Sequence, residues 1–176
     1  MRFKLLSKDD KIIYKNEILE MMRVSDKDFV PPLSARNSTL QKDLTSFKSS
    51  TDGIVKYYAE MERQEILGVF DDDNLIGFVS FRIDYVCDVI DDSSKPNIYL
   101  STLILKPETR GRGITRLLYD YLFNTLYPTR SIFTRTWSTN IAHTKILFGF
   151  GFSELSRKIN DRGEGIDTVY YSLIRK

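Results

Sequence analysis

The chain has 176 residues, 41% hydrophobic and 28% charged, a size and mixture that suit one folded domain over the whole of 1–176 and exclude a disordered or collagen-like chain. Its 26 Lys and Arg against 24 Asp and Glu leave a formal charge of +2 and no basic stripe, so nucleic acid is not an expected partner. Cys87 is the only cysteine and His143 the only histidine, which excludes an internal disulfide and a cysteine metal cluster and leaves no metal expected.

The first ten residues turn acidic before any long apolar run, so they lack the core of a secretory signal, and no stretch approaches the ~20 apolar residues of a membrane helix. A cytoplasmic protein with no membrane partner is the expectation. A strand is predicted over 3–6, then one amphipathic helix over 11–23, where Ile12, Ile13, Ile18, Leu19 and Met22 recur near helical spacing. Pro31 and Pro32 end that region as an ordered loop. Helices over 40–47 and 55–63 follow. From Ile66 the period becomes strand-like, with strands over 66–70 and 75–86 joined at Asp71-Asp72-Asp73-Asn74. That acidic corner reads as a solvated turn, since nothing else supplies ligand spacing.

A polar, acidic link runs from Cys87 to the next strand, over 98–105. A helix over 115–127 presents Leu117, Leu118, Tyr121, Leu122 and Leu126 and stops at Pro128; a strand over 132–138 follows. A short helix starts at Thr139 or Asn140, either of which can cap free amides, and ends at Gly149 or Gly151. Strands over 152–159 and 168–174 close the chain, joined by a turn-rich hairpin segment.

The chemistry-bearing stretch is strand, then Lys106-Pro107-Glu108-Thr109, then Arg110-Gly111-Arg112-Gly113-Ile114-Thr115, then an apolar-faced helix. A helix start offers free N–H groups and a partial positive charge to a phosphate. Gly111 and Gly113 let backbone approach a ligand, and Arg110 and Arg112 add guanidinium donors. Neither the nucleoside-triphosphate nor the dinucleotide glycine pattern is present. On spacing alone the turn is either a cradle for a pyrophosphate on another carrier or an ordinary basic turn.

The segment resembles the coenzyme A signature of the GNAT N-acetyltransferase superfamily, [Q/R]-x-x-G-x-[G/A], through Arg110 and Gly113, with Thr115 where the family carries Gly or Ala. The order of elements is similar to that family over nearly the whole chain. The resemblance implies an α/β GNAT-like fold: a mixed, mostly antiparallel sheet of six to seven strands, flanking helices, and a parallel pair, strands 4 and 5, that splays apart. It implies acetyl-CoA as acyl donor, its pantetheine arm held by the backbone of Leu103, Ile104 and Leu105 and its pyrophosphate by the amides of Arg110, Gly111, Arg112, Gly113, Ile114 and Thr115. A second match begins at Asn140 and ends at Gly151-Phe152, and it implies that Asn140 contacts the cofactor. The Tyr that many members use as acid toward the leaving thiolate falls at Leu147.

The implied reaction is direct attack of a primary amine, on a small molecule or a protein, with no metal. Tyr99, Ser101 and His143 are the candidates for catalytic groups; a water chain ending on Asp84 is an equal alternative for the base. His143 reads more readily as a packed, hydrogen-bonded residue, and Trp137 as core or pocket wall. The rival reading is a CoA-binding sensor or structural module without catalysis, favoured by Leu147. A homodimer is left open.

Overall fold

The computed structural model describes residues 1–41, 44, 52–86 and 97–175. The expected acidic link after Cys87 therefore lies outside the described residues, as does most of the helix expected over 40–47, where Leu40 belongs to a turn.

Strand β1, Arg2–Leu5, leads into α1, Lys8–Ile13, and α2, Lys15–Val24. The single helix expected over 11–23 is thus two helices, and the first begins three residues early. Ser7 sets that start: its Oγ accepts from Asp10 N at 3.1 Å, while Asp10 Oδ2 accepts from Ser7 N at 3.0 Å, a reciprocal capping box. The break falls at Tyr14, which leaves helical geometry at φ −90° and ψ 5°. Ile12 and Ile13 consequently face solvent, 73% and 68% exposed, whereas Ile18, Leu19 and Met22 are buried.

After short 3-10 turns at Asp26–Asp28 and Leu33–Ala35 comes α3, Gly53–Met61, then β2, Glu65–Asp71, and β3, Asn74–Tyr85, a hairpin as expected. Strand β4, Asn97–Leu105, precedes α4, Ile114–Asp120, whose axis continues as a π-helical turn over Tyr121–Leu126. Strand β5, Ile132–Trp137, helix α5, Ile141–Gly149, and strands β6, Ser153–Lys158, and β7, Thr168–Leu173, complete the chain. Among the described residues no helix is long and apolar enough to cross a membrane.

The seven strands form one sheet in the order β1-β2-β3-β4-β5-β7-β6, antiparallel except between β4 and β5. Residues along β2 alternate between its faces: Ile66 and Phe70 join a core with α2 and α3, while Leu67 and Val69 join a core with α4 and α5. Each fully buried Leu, Ile or Phe in these layers contributes roughly 1.5–3 kcal/mol. The helices thereby lock onto opposite faces of the sheet.

Two irregularities in β4 position the site. Its parallel pairing with β5 covers only Ile98, Leu100 and the Tyr99 between them; beyond Leu100 the two strands have no shared register. On the other side the register with β3 slips between Ser80 and Phe81, so Ser101 is an extra residue, a β-bulge. The bulge reverses the alternation: Leu100 faces the α4 and α5 core, but Thr102 meets Tyr57 of α3 and Ile104 joins the α2 and α3 core.

Candidate active site

Where β4 and β5 part, a cavity of about 330 Å³ opens through the sheet. Leu103, Ile104 and Leu105 line it from β4, and Thr134, Arg135, Thr136 and Trp137 from β5. Over this stretch the β4 edge that faces β5 has no ladder partner among the described residues, and backbone groups in that state need a hydrogen-bonding partner from elsewhere. An extended, amide-bearing chain matches that need.

The mouth is the glycine turn. Gly111 and Gly113 have φ of +75° and +76°, left-handed values that favour glycine. A Cβ on either would meet nothing within 4 Å, so the surface above them is open. From Gly111 to Thr115 no backbone N–H donates to a carbonyl or side chain among the described residues. The first bonds of the helix are those of Arg116 and Leu117 to Gly113 O, at 3.0 and 3.2 Å. Ile114 is itself core, 1% exposed, and anchors the turn. Convergent free donors at a helix start fit a phosphate group.

Arg110 turns inward. Its Nε donates to Leu105 O at 3.1 Å and one terminal nitrogen to Ser25 Oγ at 2.9 Å, and the other pairs with Asp28 at 2.8 Å. The side chain ties the turn to the end of α2. Arg112 is exposed and has no protein partner among the described residues, so it is the guanidinium of this turn left for an anion.

Asn140 caps α5, its Oδ1 accepting from His143 N at 3.3 Å and its Nδ2 donating to Thr136 Oγ1 at 3.0 Å, and it lines the cavity together with Thr115. His143 also reaches the wall, where Nε2 lies 2.8 Å from the hydroxyl of Tyr119. Burial lowers the imidazole to about 4 and raises the phenol of Tyr119, so both are neutral at pH 7. Leu147 is fully buried in the core beneath them.

Tyr99 and Ser101 lie on the same wall. Burial raises Tyr99, whose ring lies 4.8 Å from that of Tyr85 at a tilt of 33°. Ser101 Oγ lies 2.6 Å from Gln64 Oε1 and 3.0 Å from Ser80 O, and Gln64 Nε2 donates to Thr39 Oγ1 at 2.8 Å. That network holds the bulge against the loop after α2. Asp84 is not in this cavity. It lines a second one, which shares Tyr99, Thr134 and Arg135 with the first.

The expected residues therefore divide by place. Tyr99, Ser101, Leu103, Ile104, Leu105, Arg110, Thr115, Asn140 and His143 share the cavity, while Gly111, Arg112, Gly113 and Ile114 form the turn at its mouth. Sequence reasoning missed Phe29, Arg36, Arg135 and Arg162, which come from a loop, a strand and a turn far apart in the chain. The one legible signal was Arg135, a charged residue within an otherwise uncharged strand. Among the described residues no three His, Cys, Asp or Glu side chains converge as a metal ion would need.

A family model described as "Acetyltransferase (GNAT) family" matches residues 33–148, more than half of the chain. No curated protein matches the sequence. Among solved structures, the ribosomal-protein-alanine N-acetyltransferase of Brucella melitensis is similar at 12% identity and TM-score 0.66, over 99% of this chain and 99% of that one. An N-acetyltransferase from Staphylococcus aureus Mu50 is 17% identical at TM-score 0.64, over 99% and 98%. The Salmonella typhimurium protein yncA, solved with its cofactor acetyl-CoA, is 15% identical at TM-score 0.64, over 99% and 93%. At these identities the likeness concerns the fold.

Proposed function

We propose that this chain, which belongs to the GNAT acetyltransferase family, transfers the acetyl group of acetyl-CoA to a primary amine by direct attack within a ternary complex. The observation that carries this reading is the pairing of two features: a β4 edge that has no ladder partner beyond Leu100 among the described residues, and a turn of free N–H groups from Gly111 to Thr115 at the mouth of the same cavity. The edge would take the pantetheine amides and the turn the pyrophosphate. Bound there, the thioester supplies an activated acetyl group.

The remaining work falls to this chain's own groups. The backbone around the Ser101 bulge and Leu103 would supply N–H donors to a developing oxyanion, held rigid by the Ser80, Ser101 and Gln64 network. Asn140 would orient the cofactor while capping α5. The amine must be neutral to attack, and a free alkyl ammonium has a pKa near 10.4. Asp28, the only carboxylate of the described cavity wall, already pairs with Arg110. The proton therefore leaves through water, with Asp84 across the shared Tyr99 and Arg135 wall as its carboxylate terminus. A cytoplasmic setting is part of this reading and agrees with a lone cysteine.

A CoA-binding module without catalysis is the second reading, and Leu147, buried where many members carry a Tyr, favours it. Thermal unfolding with acetyl-CoA, with CoA and with ATP tests the cofactor site. Saturation at about a hundred times Kd adds roughly 2.7 kcal/mol, a rise of about 5–10 °C. A rise with both CoA species and not with ATP supports the site; no rise overturns it. Thiol release with an amine then separates transfer from mere binding.

A further inference from the structure

We propose that the acceptor amine carries an oxyanionic group, a carboxylate or a phosphonate, which seats between Arg36, Arg135 and Arg162. This rests on the acetyltransferase reading and specifies its substrate class.

The three guanidiniums come from three elements: the loop after α2, the middle of β5, and the segment between β6 and β7. All three line the cavity at the β4 and β5 parting. They share it with Phe29 and Trp137, whose rings lie 5.9 Å apart, with Arg36 5.4 Å from the Phe29 ring and Arg162 5.8 Å from the Trp137 ring. Two aromatic faces thus wall a pocket whose charged groups are arginines apart from Asp28, and Asp28 is already paired with Arg110.

Among the described residues their hydrogen-bond partners are neutral. Arg36 donates from Nε and a terminal nitrogen to Pro31 O, at 3.0 and 2.8 Å. Arg162 donates to Val30 O and, from Nε, to Thr168 Oγ1 at 2.9 Å. Arg135 has one long contact, 3.5 Å to the Tyr170 hydroxyl. Among the described residues no carboxylate forms an ion pair with any of them. Asp161, on the same segment as Arg162, instead accepts from Thr168 Oγ1 at 2.6 Å.

Arg162 is only 7% exposed. Burial, then the charges of Arg36 and Arg135, lower its guanidinium to about 9, and burial lowers Arg36 as well. Neutral donors would hold the same carbonyls without this repulsion. Three clustered arginines are stabilised together by an anion that spans them, and planar guanidinium forks match carboxylate and phosphonate oxygens. The same field disfavours a polycationic acceptor. The amine of a compact amino acid would then extend toward the Ser101 bulge.

The test is calorimetric titration of the full chain with α-amino acids, each against its α-carboxamide, with aminoalkylphosphonates and spermidine as further arms. At least one acid is expected to bind about tenfold or more tightly than its amide. The arm that binds best tells carboxylate from phosphonate. Arg135→Met, the substitution that removes the fewest structural contacts, is expected to erase the preference while the thermal shift by acetyl-CoA persists. Equal binding of acids and amides, no binding of any acid, tighter binding of spermidine, or a preference that survives Arg135→Met would overturn the proposal. If acetyl-CoA shifts unfolding but acids show no preference, the anionic acceptor falls alone. If the preference holds but acetyl-CoA does not bind, the anion site stands and the transfer reading falls.

Discussion

The hydroxyl of Tyr119, in the second turn of α4, lies 2.8 Å from Nε2 of His143, in the first turn of α5. The contact joins α4 to α5 beside the glycine turn, and burial keeps the imidazole neutral near pH 7. Because burial lowers His143 in the folded state to about 4, below its ordinary 6.5, the unfolded chain binds more protons between those values. The stabilisation from the neutral ring is complete above pH 6.5 and declines as pH falls toward 4. An NMR titration of the ring should show no midpoint near 6.5, and the pH–rate profile no limb there. A midpoint near 6.5 would restore His143 as a catalytic candidate.

Gly113→Asp tests the turn. At φ +76° a side chain strains the backbone by about 1 kcal/mol, and a carboxylate opposes a pyrophosphate. Affinity for acetyl-CoA should fall about tenfold or more, with thermal unfolding lowered by only about 2–4 °C. Unchanged affinity would show that the turn does not hold the phosphates.

Gly53→Ala tests how the loop that carries Arg36 is held. A Cβ at Gly53 would lie 1.9 Å from Ser34 O, a backbone atom that cannot rotate away. The start of α3 must shift from the 3-10 turn that precedes Arg36, at a cost of about 2–3 kcal/mol. Denaturant unfolding should show that loss; a change under about 0.5 kcal/mol would mean that α3 and this turn do not pack as described.

Asp10→Asn tests the opening of α1. The hydrogen bond from Lys4, at 2.6 Å, and then those from Ser7 lower the Asp10 carboxyl from 3.8 to about 2. Its contribution is full above about pH 4 and is lost as pH falls toward 2. The substitution should cost about 1 kcal/mol at pH 7, and the difference in Tm from the parent chain should close between pH 4 and pH 2. A gap that persists at pH 2 would place the effect elsewhere than in the charge.

Local rules made much of this protein legible before any coordinates. Strand alternation from Ile66 to Val86, the Pro128 stop, the Asn140 cap and the glycine turn each depend on neighbours a few residues away, and each lies where the sequence indicated. The first helix departed from the reading because Ser7 and Asp10 form a capping box that outranks apolar spacing at Ile12 and Ile13. The extra residue at Ser101 and the end of pairing at Leu100 were invisible along the chain, since a bulge is a relation between strands. The same holds for Arg36, Arg135 and Arg162, which span 126 residues from first to last yet share one cavity. Sequence alone located the glycine turn proposed for the cofactor, because a phosphate cradle would be built from consecutive amides; the arginine pocket proposed for the acceptor was decided only by tertiary packing, because its charges come from separate elements brought together by the sheet.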